Sequence, residues 1–108
     1  ARGAGLTVRL RFEDLPWLPG VRELAADGVV TGASGRNWAS YGDGVKLGAG
    51  IDQTARDLLT DPQTSGGLLV SCAPQALGEV LEIFQDQGFA EAAIIGETRA
   101  GEPCVEVL

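Results

Sequence analysis

Histidine and methionine are absent from this 108-residue chain, lysine occurs once, at Lys46, and cysteine twice, at Cys72 and Cys104. Without histidine the commonest general base and the commonest metal ligand are missing. Zinc sites built on imidazole are therefore excluded, and two cysteines cannot supply a four-thiolate site. A nucleophilic cysteine would also lack the imidazole that most often activates it. Both thiols are read as reduced, partly buried groups of a cytoplasmic protein. No apolar run reaches the roughly 20 residues of a bilayer span, and no charged-then-apolar signal segment opens the chain. A chain that begins at Ala1 and holds no methionine is expected to be a piece of a longer product.

What is present points to one small α/β domain. Apolar residues make up 44% of the chain, enough for a core, and the length suits a single one. The net charge of −7 argues against broad binding to nucleic acid or anionic membranes. That charge is uneven. Residues 1–54 balance six basic against six acidic side chains, whereas residues 55–108 hold two against nine. The excess lies mostly on the last helix and the closing strands, which are expected to form a solvated outer side.

Leu6 to Phe12 alternates strictly, with Leu6, Val8, Leu10 and Phe12 on one face and Thr7, Arg9 and Arg11 on the other, as in a half-buried strand. Val21 to Ala26 reads as a short helix stopped by Gly28. Glycines then recur from Gly28 to Gly50, around the anchors Trp38 and Tyr41, as in an ordered loop region that lies close to something. Within it a helix over Arg36 to Tyr41, capped by Ser34, and a brief strand at Val45 to Leu47 are expected. Asp52 is a fair N-cap for a helix reaching Leu59, which Pro62 ends. Leu68 to Cys72 reads as an apolar strand. Pro74 opens a helix with Leu77, Val80, Leu81 and Phe84 on one face and Gly88 at its end. Ala92 to Gly96 and Pro103 to Leu108 read as strands joined by a hairpin turn at Arg99 to Glu102.

The sharpest local chemistry lies at Thr60-Asp61-Pro62-Gln63-Thr64-Ser65-Gly66-Gly67. Thr64, Ser65, Gly66 and Gly67 are able to offer successive backbone N–H groups to an anion, and glycine lets a phosphate come close. Asp61 suits a divalent cation or a turn cap. The stretch is not a P-loop, because it lacks that lysine pattern and runs from helix to strand. Its plain structural reading is an Asx-Pro turn with a glycine exit. Arg36 and Asn37, in the glycine-rich segment, suit a phosphate or a neighbouring domain, but also a loop brace. Arg9 and Arg11 read as solvated. Asp43, Asp52 and Asp57 have no recognisable metal spacing.

Asp61-Pro62-Gln63-Thr64-Ser65-Gly66-Gly67-Leu68-Leu69 strongly resembles the signature of the C-terminal domain of the selenophosphate synthetases, relatives of aminoimidazole ribonucleotide synthetase. Element order along nearly the whole chain agrees with that domain. The resemblance implies an α/β (α+β) sandwich, a mixed sheet packed with helices, forming a single C-terminal domain over residues 1–108 of a larger two-domain enzyme. It implies ATP and selenide as substrates and Mg²⁺ held mainly by aspartates of the N-terminal domain. That domain would be the chief partner, and the full-length enzyme a homodimer. Catalytic residues are expected upstream, since Cys72 and Lys46 match the catalytic pair of such enzymes in neither position nor context. By the same resemblance Thr60, Asp61, Gln63, Thr64, Ser65, Gly66 and Gly67, with Arg36 and Asn37, would shape the substrate or nucleotide cleft. Two other readings stay open: the C-terminal domain of a sister ATP-using enzyme, of thiamine-phosphate kinase or hydrogenase-maturation type, and a free-standing interaction domain.

Overall fold

The computed structural model describes residues 1–108 and contains a mixed four-stranded sheet with four α-helices. The strands are β1 (Leu6–Leu10), β2 (Val45–Leu47), β3 (Gly96–Ala100) and β4 (Cys104–Val107), in the order β2-β4-β1-β3. β4 runs parallel to both β1 and β2, whereas β3 is antiparallel to β1. The helices are α1 (Val21–Ala26), α2 (Gly32–Tyr41), α3 (Gln53–Leu59) and α4 (Leu77–Asp86).

Alternation in β1 separates the two sheet faces. Register places Val8 and Leu10 beside Val105 and Val107, and these beside Val45 and Leu47. This apolar face meets Phe12, Ala55, Ile51, Leu58 and Leu59, and it is the core of the molecule. Phe12 leaves the strand and opens a 3₁₀ turn, Phe12–Asp14, so the expected strand is shorter than its alternation. Its ring tilts against Trp17 at 5.2 Å, and the Arg22 guanidinium lies 5.3 Å from it.

The opposite face is a row of charge. Arg9 stands between Glu97 and Glu106, and Lys46 is beside Glu106. Glu106 accepts from Arg9 Nε at 3.1 Å and from Arg99 Nη2 at 2.8 Å. Those two guanidinia, the Arg9 hydrogen bond first, hold the Glu106 carboxyl below the usual carboxylate range. Lys46 donates to Glu102 at 3.0 Å, which raises its ammonium above the ordinary lysine value. Arg9 is thus paired where solvation was expected, and Arg11 pairs with Asp14.

Four expectations change. Gly32 and Gly35 are poor helix formers, yet α2 begins at Gly32 with Thr31 as its N-cap, four residues before the expected start. Ser34 is inside it, fully buried, with its N–H on the Thr31 carbonyl at 3.2 Å. The last two strands do not form a hairpin, because β1 lies between them. Thr7, buried at the start of β1, donates its hydroxyl to the Glu102 carbonyl at 2.7 Å, which ties the connection across the strand end. The β3 ladder begins at Gly96, where a side chain would run into the Arg9 carbonyl, so the expected strand from Ala92 moves four residues on. Leu68 to Cys72 joins no ladder. Asp52 does cap α3, its carboxylate accepting from the Ala55 N–H at 2.8 Å, and Gly28 and Gly88, both at positive φ, end α1 and α4.

Candidate functional site at the end of helix α3

Two hydrogen bonds tie α2 to the end of α3. Asn37 Nδ2 donates to the Thr60 carbonyl at 2.8 Å, and Thr31 Oγ1 donates to Asp61 Oδ1 at 3.2 Å. Thr60 turns its own hydroxyl back to the Arg56 carbonyl at 2.8 Å, closing the last turn of the helix. Asn37, Thr60 and Asp61, three of the residues expected to shape a cleft, therefore meet although 23 residues separate the first two. Together with Trp38, Tyr41, Gly42, Val45 and Leu59 they line an open groove of about 350 Å³. A smaller hollow of about 120 Å³ continues inward over Leu10, Leu47, Val105 and Val107. An apolar floor with a few convergent polar groups at the rim is the usual make-up of a ligand site.

The remaining candidates stand outside that groove. Arg36 is exposed on α2, one residue before Asn37, and its guanidinium has no ion-pair or hydrogen-bond partner. Gln63 reaches Asp61 Oδ2 only at 3.5 Å. Thr64, Ser65, Gly66 and Gly67 are all exposed. The chain turns there, with Ser65 in the left-handed region at φ 58°. Gly66 packs so close that a Cβ would stand 2.9 Å from Cβ of Gln63, which is a steric reason for glycine at that position. The main-chain N–H groups of these four residues join no helix and no strand ladder.

Three participants are absent from the residues expected to shape the cleft. Thr31 is 30 residues from Asp61, and only folding brings them together. Arg56 lies 5.1 Å from the Trp38 ring, and its buried Nε has no partner. Tyr41 served only as an anchor residue in the sequence, but it lines the groove. No group of three or more Cys, Asp or Glu side chains gathers to hold a metal, and no helix is long and apolar enough to cross a membrane.

Comparison with known proteins adds what geometry leaves open. The family model for the AIR synthase related protein, C-terminal domain, matches residues 1–107. The chain is 63% identical over 107 residues to a selenide, water dikinase of Burkholderia pseudomallei (strain K96243), covering 99% of this chain and 30% of the relative. Identity is 62% over 108 residues to the selenide, water dikinase of Paraburkholderia xenovorans (strain LB400), again 30% of the relative. That of Rhizobium meliloti (strain 1021) is 45% identical over 108 residues, 31% of its length. The chain thus spans about 30% of the length of the curated relatives it matches. With the mixed sheet, α3 packed on its apolar face and a family match over residues 1–107, this chain belongs to the family of AIR synthase related protein C-terminal domains.

Proposed function

We propose that this chain is the C-terminal domain of a two-domain selenophosphate synthetase, which makes selenophosphate from selenide, ATP and water and releases AMP and phosphate. The observation that carries the reading is the Asp61–Leu69 loop, which starts at the groove rim, in a chain closely similar to enzymes named selenide, water dikinase. Surface area supports a covering domain. The chain exposes 7573 Å², about a third more than the roughly 5,700 Å² expected of a compact protein of 11.2 kDa. Its radius of gyration, 14.8 Å, likewise exceeds the roughly 13 Å expected.

In this reading the chain's own residues position rather than react. The Asn37–Thr60 and Thr31–Asp61 bonds would hold the start of the loop against α2. From there Thr64 to Gly67 would present main-chain N–H groups to phosphate oxygens, and the unpaired Arg36 would add a bidentate contact. Asp61 is the one carboxylate of the loop, and its two oxygens already face Thr31 and Gln63. It does not make a Mg²⁺ site alone, so the Mg²⁺ implied by the reading would belong to the rest of the enzyme. The N-terminal domain is the partner in this proposal, with pairing of two full-length chains and a cytoplasmic location. Two free thiols accord with that compartment.

Selenide-dependent AMP formation by the full-length protein tests the reading, and ATP turnover indifferent to selenide would overturn it. Asp61→Ala in that protein is expected to lower kcat/KM by roughly 100-fold with little change in melting temperature. A rate that stays at wild type would make Asp61 a turn former only.

A further inference from the structure

β3 is an edge strand, paired with β1 on one side and with no strand on the other. Four of its five residues, Glu97 to Ala100, are exposed. The Ile95 carbonyl accepts from the Arg11 N–H at 2.9 Å, so residues 95, 97 and 99 turn their main-chain groups toward β1. Gly96, Thr98 and Ala100 therefore turn theirs outward, and an open row of N–H and C=O groups is a template for another strand. Sheet edges are commonly blunted by charge. β2, the opposite edge, follows that rule, since a two-fold axis at its central residue would set Lys46 against its own copy. In β3 the charges have opposite sign and flank Thr98 symmetrically, as Glu97 and Arg99.

That symmetry makes the edge complementary to itself. A two-fold axis through Thr98 places Gly96 opposite Ala100, and Glu97 opposite Arg99 of a second copy. Moving the axis to a neighbouring residue sets glutamate on glutamate or arginine on arginine, which is unfavourable, so charge selects the register. The outward main-chain groups of Gly96, Thr98 and Ala100 then bond across the axis. Glu97 and Arg99 fall at the positions between those bonds, where facing side chains come closest. Both have capacity to spare. The Glu97 side chain is 59% exposed, with its nearest cation, Arg9 Nη1, 3.9 Å away. That of Arg99 is 45% exposed and donates one nitrogen to Glu106. We propose that two copies of this chain associate by pairing β3 with β3, antiparallel about Thr98, so that their four-stranded sheets join into one. The two-fold axis closes the assembly at a dimer. So short an edge makes a small and therefore weak contact. It is separate from the pairing of full-length chains proposed above and does not depend on the reaction.

Sedimentation equilibrium of the 108-residue chain tests this. The wild-type chain is expected to dimerise with a dissociation constant of roughly 0.1 mM, at the weak end of specific association. Glu97→Arg and Arg99→Glu should each weaken self-association at least about tenfold, because each sets like charges opposite one another. Mixing the two variants should restore a one-to-one heterodimer, since one presents two arginines and the other two glutamates. Both sites are exposed, and the mixture repairs no contact inside either chain, so a folding defect does not mimic the recovery. The amides of Thr98 and Ala100 should also exchange more slowly as protein concentration rises. A chain still monomeric at about 1 mM overturns the proposal. So does a dimer that both single variants keep, or a mixture that associates no better than its components.

Discussion

Residues 61–95 and the rest of the chain have equally clear sequence patterns and very different packing. Thr7, Phe12, Ala25, Ser34, Ala55, Cys104 and Val107, the buried residues, all lie outside residues 61–95. So do all four strands. Inside that stretch α4 carries the stripe Leu77, Val80, Leu81 and Phe84, yet it stays only half-buried, with Phe84 meeting Phe89 edge-on at 6.2 Å. Hydrogen bonds anchor the stretch at its two ends, through Asp61 to Thr31 and through the Ile94 and Ile95 carbonyls to Arg11. Helical spacing thus specifies that a helix forms, but not what covers it. The covered half is a scaffold, and the uncovered half holds the loop that resembles a signature.

Phe12→Ala should remove about 3–5 kcal/mol of stability, because the ring fills the centre of the core and tilts against Trp17. Phe84→Ala should cost less than half as much, as its ring keeps partial contact with water. Urea midpoints at unchanged m-value read both, and equal costs would mean that α4 packs as tightly as the scaffold. Next comes Asp52→Ala, which strips the α3 cap and should cost about 1 kcal/mol, with Asp52→Asn recovering most of it. A loss of that size would confine it to the scaffold side of the molecule.

The smallest effect is a pH dependence on the charged sheet face. Arg9 and Arg99 depress the Glu106 pKa in the folded state, so the carboxylate's contribution is present at neutral pH. It is lost as pH falls through that lowered value. Glu106→Gln should therefore flatten the decline of melting temperature between neutral pH and pH 3. An undiminished acid decline would assign it to other carboxylates.

Much of the scaffold was legible locally. The alternation of Leu6 to Leu10, the cap at Asp52, the stops at Gly28 and Gly88, and the strand at Val45 to Leu47 each rest on neighbours within a few residues. α2 is longer than local propensity indicates, because its glycines and Ser34 are weak helix formers and the burial of Ser34 is not visible in propensity. The expected hairpin does not form because the insertion of β1 joins residues 86 or more positions apart, from Leu10 opposite Gly96 to Leu6 opposite Ala100. In the site, Thr60, Asp61 and Asn37 are candidates by residue type and resemblance that the fold brings together, whereas Thr31 and Arg56 emerge only from the tertiary contacts.

By itself the sequence determined which chemistries are absent, where chain reversals fall, and the Asp61–Leu69 string whose resemblance pointed to a family. Missing histidine and paired glycines act through residue type and backbone freedom, which need no partner to be read. Tertiary structure alone decided the strand order, the pairing of Arg9 with Glu106 and the meeting of α2 with the end of α3. Those depend on which distant surfaces desolvate together, and that is a property of the whole packed chain rather than of any local window.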